Sequence, residues 1–177
     1  PQPKPVIRAV AVPKTAGDTL EQNTPRHNAV MKLLRNSNRV SENDENYCPA
    51  LHDKEHMDWN RSLNIYPLNK QQVLVEAVCV GGTYQTSGYY AIADKKLTKI
   101  EQVLPPMTYG GHGGFDDKTA ILSGSFKGRG IGDCWSGNAA VWDGKTFVHS
   151  EEHTTGSCKG FTGGAWLMPI FEARVER

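Results

Sequence analysis

An excess of charge of one sign is missing from this chain. Twenty Lys and Arg stand against nineteen Asp and Glu, a net charge of +1 over 177 residues. No large basic field exists to draw in a nucleic acid, and no polybasic run suits a membrane surface. Long apolar runs are missing as well: no stretch approaches the ~20 residues of a membrane span. There is no CxxC and no G-x-S-x-G elbow, and Ser123-Gly124-Ser125 lacks the strand-to-helix context of a nucleophile turn. Gly128-Arg129-Gly130-Ile131-Gly132 has the look of a phosphate loop. It lacks the Lys-Ser/Thr ending and no helical pattern follows it, so it reads as a tight glycine turn between strands. No cofactor is implied. The chain starts at Pro1 without a signal-peptide pattern, which points to a mature product or an excised fragment.

What is present favours turns over helices: eighteen glycines and ten prolines. Four cysteines, Cys48, Cys79, Cys134 and Cys158, make an even count that signals two disulfides. Of the three connectivities, Cys48–Cys79 with Cys134–Cys158 is chosen because each pair closes a local loop. Each loop is worth roughly 3–4 kcal/mol on a chain-entropy model. If the cysteines are paired, none serves as a thiolate nucleophile.

Pro1 to Pro5 reads as an extended linker, and Val6 to Val12 as a first strand. Residues 1–13 are thus taken as a linker or first strand left from a longer protein, and 14–177 as a single disulfide-stapled β-rich domain. Thr24-Pro25 supplies an N-cap and a first helical position, so one short helix runs to about Asn36 on Val30, Leu33 and Leu34. Leu63 to Pro67, Gln72 to Val80 and Gly88 to Ala93 read as strands, interrupted by Gly81-Gly82 and by the run Gly110 to Gly114. Ala120 to Phe126 alternates with strand period. Asp143-Gly144 suits a two-residue hairpin turn, which pairs Trp142 with Lys145 and Ala140 with Phe147. Trp166 to Phe171 reads as a closing strand, placed at an edge or bulge by Pro169. The expected fold is α+β and mainly β: an antiparallel sheet, one short N-terminal helix and two disulfides.

Two segments match the H-x-x-E-H zinc pattern, which needs a helix to bring both histidines to one metal. His52, Glu55 and His56 follow Cys48-Pro49 and can sit on a short helix, but have no third ligand downstream. His149, Glu152 and His153 fall in predicted strand, where positions i and i+4 lie ~13 Å apart. No metal site is assigned, and His52, Glu55 and His56 stand only as weak candidates. Asp116-Asp117 and Glu151-Glu152 are adjacent carboxylates, which a strand points to opposite faces. Trp135, Trp142 and Trp166 gather near Cys134 and Cys158, either as core or as a ligand platform.

GRGIGDC (Gly128 to Cys134), WDGKTF (Trp142 to Phe147), Cys158-Lys159-Gly160 and Trp166 resemble the C-terminal part of the bacterial family known as domain of unknown function 1176. VLVEAVCVGGTY (Val73 to Tyr84) is similar to that family's strand-cysteine-glycine-tyrosine segment. The resemblance runs over about Leu63 to Arg174, and more loosely over the Pro25 helix. It departs at one place: members often carry Gly after the GDC cysteine, and Trp135 stands here. The resemblance implies an exported envelope protein of Gram-negative bacteria, periplasmic or envelope-anchored, often with a further N-terminal domain. It implies no catalytic activity.

Within the motif, Arg129 offers a planar five-donor group that can clamp Asp133 across the glycine turn, in preference to binding an anion. The expected function is a non-enzymatic protein-binding or inhibitor/immunity-type module with another envelope protein as partner. Its binding residues are Arg129, Asp133, Trp135 and Trp142. The alternatives are a structural envelope domain and a metal-dependent hydrolase.

Overall fold

The computed structural model describes residues 3–44, 46–52, 62–81, 86–105 and 112–177. The chain forms two compact units, one from Pro13–Gly81 with Ser87–Pro106, the other from Pro1–Val12, Gly82–Thr86 and Met107–Arg177.

The first unit is a five-stranded sheet with helices on one face. Its strands are β2 (Asp18–Leu20), β3 (Leu63–Pro67), β4 (Gln72–Gly81), β5 (Thr86–Asp94) and β6 (Ile100–Val103), in the order β2-β3-β4-β5-β6. Helix α1 (Pro25–Ser37) starts where Thr24 Oγ1 accepts the His27 N–H at 3.2 Å, with Pro25 in the first turn. Val30, Met31 and Leu34 lie on its buried face, so Met31 takes the place expected of Leu33. They join Leu63, Ile65, Val73 and Val75 in one core, where each fully buried aliphatic side chain stabilises by ~1.5–3 kcal/mol. Strand alternation puts Asn64, Tyr66 and Glu76 on the opposite face. There the Glu76 carboxylate accepts from Tyr90 Oη at 2.8 Å, Tyr66 Oη at 3.0 Å and Asn64 Nδ2 at 3.1 Å. Cys48–Cys79 ties the residue before the one-turn helix α2 (Pro49–His52) to β4.

The second unit holds a five-stranded antiparallel sheet and a two-stranded ribbon. The sheet contains β7 (His112–Asp116), β8 (Ile121–Lys127), β9 (Trp135–Trp142), β10 (Phe147–Thr154) and β11 (Met168–Glu172), in the order β11-β10-β9-β8-β7. The ribbon pairs β1 (Val6–Arg8) in parallel with β12 (Arg174–Glu176). The closing strand expected near Trp166 is β11. It is an edge strand and its register shifts beside Pro169, so both expectations for that proline hold.

Two local expectations are corrected. The glycine run does not simply interrupt the sheet, because Gly113 and Gly114 belong to β7, opposite Gly124 and Ser123. The hairpin turn is centred one residue later than Asp143-Gly144: Trp142 pairs with Phe147, not Lys145, and Ala140 with His149, not Phe147. The cause is the Asp143 carboxylate, whose Oδ1 accepts from the N–H groups of Lys145 and Thr146, both at 2.8 Å. The register moves by two positions, so Ala140, Trp142 and Phe147 keep one face and Val141 and Val148 the other. Trp142, fully buried, packs against Phe147 at a centroid distance of 5.4 Å.

Candidate functional site

The most constructed part of the second unit is the turn between β8 and β9. Gly128 N–H donates to Cys134 O at 2.9 Å, and Gly132 N–H to Arg129 O at 2.9 Å. A Cβ on Gly128 would stand 2.8 Å from Cys134 Sγ, so a larger residue there would displace the disulfide. Gly132 has a φ of +67°, which lets the Trp135 ring lie over it and donate from Nε1 to Gly132 O at 2.7 Å. Trp135 thus closes the turn through its own indole N–H.

Asp133 is the centre of the turn. Its side chain has no exposed surface, whereas that of Arg129 is half exposed. Arg129 Nη2 donates to Asp133 Oδ2, Arg129 Nε to Oδ1 at 3.1 Å, and Gly160 N–H to Oδ2 at 2.6 Å. The Arg129 hydrogen bonds hold the Asp133 carboxyl below its usual range. The Gly160 N–H assists them, and burial opposes without winning. The same pairing raises the guanidinium further above its ordinary value. Cys134–Cys158 fastens the turn to the loop that carries Gly160.

Beside the disulfide lies a recess of about 160 Å³, lined by Phe126, Cys134, Trp135, Ser136 and Thr154, with Gly128 and Gly156. Its floor comes from sheet register. Phe126, Ser136 and Thr154 stand opposite one another across β8, β9 and β10, and so share a face. Trp135 is fixed from both backbone sides: its N–H donates to Thr155 Oγ1 at 2.7 Å, and its carbonyl accepts from Thr155 N–H at 2.8 Å.

Arg129, Asp133 and Trp135 therefore come together, whereas Trp142 sits in the core and Trp166 is exposed. Phe126, Ser136 and Thr154 escaped sequence reading, because they meet only through the register of three strands.

The weak metal candidates divide. His52 stacks on Tyr47 at 5.2 Å, and its Nε2 lies 3.0 Å from Asn38 O. Glu55 and His56 lie outside the described residues. For the second match, β10 bulges between His149 and Glu151. His149 pairs with Ala140 and His153 with Gly137, three residues apart on β9, so the two imidazoles fall on opposite faces. Among the described residues, Asp133, Cys134 and Cys158 are the group close enough to surround one ion. Both sulfurs are bonded to each other, and Arg129 holds the carboxylate.

Fold and turn define a β-rich, disulfide-stapled protein, with disulfides as expected from the cysteine spacing. The chain belongs to the family described as Protein of unknown function (DUF1176), whose model matches residues 1–173, well beyond the C-terminal part. No curated protein and no solved structure matches it. No helix among the described residues is long and apolar enough to cross a membrane. The two disulfides are compatible with an exported protein.

Proposed function

We propose that this chain is an exported, periplasmic binding module of the inhibitor or immunity type. In this reading it grips another envelope protein by accepting one apolar side chain into the recess beside Trp135. The supporting observation is the way the recess is held. An aromatic wall stands on a turn locked by an ion pair, a disulfide and strand register together. Such a wall loses little freedom on binding, and affinity at protein interfaces concentrates in preorganised aromatic pockets. The volume of about 160 Å³ suits one aliphatic or small aromatic side chain. Arg129 and Asp133 hold the wall, Trp135 and Phe126 make the contact, and Trp142 supports the sheet beneath.

The test uses a photoreactive benzoylphenylalanine at Ser136, irradiated in cells that produce the chain natively. The reading predicts one discrete adduct, lost when Thr154→Trp fills the recess in a protein of unchanged melting temperature. No adduct, or one indifferent to Thr154→Trp, overturns it.

A further inference from the structure

The segment after the recess carries a surface that the binding reading leaves unused. Phe161, Trp166, Leu167, Met168 and Ile170 are 63%, 76%, 70%, 43% and 61% exposed, all within one short stretch. From Thr155 to Phe171 the only charged residue is Lys159, and there is no carboxylate. Single exposed apolar residues are ordinary, but five on one loop and the strand it enters are not.

The strand itself argues against two occupants. β11 has β10 on one side and no strand on the other among the described residues. Thr155 N–H donates to Trp135 O, so alternation turns the His153 backbone toward β9 as well. Pro169 lies opposite His153, which puts its ring nitrogen on the free edge, and the register shifts beside it. An edge with a proline nitrogen and a bulge is blunted against an added strand. A second copy of the chain would need a face of roughly 20–30 residues a side, not one loop.

We infer that this loop docks on an anionic phospholipid surface, with Trp166, Leu167 and Phe161 entering the headgroup boundary. Tryptophan and phenylalanine with few charges are the residue types that partition to this boundary. Two backbone groups of the loop are bonded internally and help hold its shape: Gly163 N–H donates to Gly132 O at 2.7 Å and Gly164 N–H to Phe161 O at 2.8 Å. Lys159 supplies the one net positive charge, since Arg129 beside Gly160 is balanced by Asp133. An anionic leaflet is therefore attracted and meets no acidic group on this segment. The disulfide at Cys158 anchors the loop's start.

The experiment is co-sedimentation with vesicles of phosphatidylethanolamine and phosphatidylglycerol, and with phosphatidylcholine alone, using the intact oxidised chain. Binding to the anionic vesicles is expected, with a blue shift of tryptophan emission that Trp166→Phe abolishes. Trp166→Ser with Leu167→Ser should weaken partition at least about tenfold, and Lys159→Gln about fivefold. Both changes fall on exposed positions, and an unchanged melting temperature checks that the fold survives. No sedimentation with either vesicle, or equal sedimentation of the double variant, overturns the inference. So does a concentration-dependent dimer that the double variant abolishes, which would assign the surface to a second copy. Because the recess test reads a protein adduct at Ser136, either result stands without the other.

Discussion

Asp133 has no exposed side-chain surface, yet it faces the half-exposed Arg129 through two of the guanidinium's nitrogens. A carboxylate placed this way depends on its partner. Its folded pKa lies below the ordinary value, so its contribution to stability is complete above about pH 4. That contribution drains away as the pH falls through the depressed folded value. Asp133→Asn should lower the melting temperature at neutral pH and flatten the acid limb of the curve. Arg129→Lys should fall between wild type and Arg129→Ala, because an ammonium cannot reproduce the two-nitrogen fork. Thermal melts from about pH 7 to about pH 2.5 check this. Parallel wild-type and Asp133→Asn curves would refute the ionic clamp.

The disulfides make a second prediction. Denatured, unreduced protein should show almost no titratable thiol, and mass mapping should join Cys48 to Cys79 and Cys134 to Cys158. Replacing Cys134 and Cys158 together by Ala removes a cross-link spanning 24 residues. The loss should be about 3.5 kcal/mol by loop entropy, read from urea denaturation. Four thiols titrating before reduction would remove the argument for export along with the cross-links.

Trp142 makes a third. It is fully buried between β-sheet neighbours, and its Nε1 has no hydrogen-bond partner among the described residues. Trp142→Ala should cost about 3–5 kcal/mol, the range for emptying a large aromatic from a core. Trp142→Phe should cost less than about half of that, because no hydrogen bond is lost and most of the ring contact survives. Equilibrium unfolding of the two variants checks the ratio. Equal losses would mean that the indole N–H is bonded in solution.

The parts of this fold that were legible in the sequence are those set by short-range chemistry. Thr24-Pro25 marks the start of α1 because cap and first turn are local, and Pro169 marks an edge because a proline nitrogen cannot sit inside a ladder. Arg129 and Asp133 were legible for the same reason: three residues lie between them, and two are glycines. The hairpin register was not, because the Asp143 side chain substitutes for a backbone acceptor, and dipeptide type does not report that. The glycines of β7 read as loop because an edge strand tolerates residues that strand propensity disfavours. The Glu76 network and the Phe126–Ser136–Thr154 floor depend on which strands become neighbours, a relation between residues far apart in the chain.

The bulge in β10 changes what a difference in length would mean there. Ser150 is the extra residue, buried, with its carbonyl accepting the Ala173 N–H at 2.8 Å. In a loop, losing one residue shortens a connection. Between His149 and Glu151 it would leave the pairing with β9 intact, with His149 still opposite Ala140 and Glu151 opposite Ala139 on the faces they hold now. A relative lacking that one position would present the same side chains beside the recess, from a straighter strand in place of a bent one.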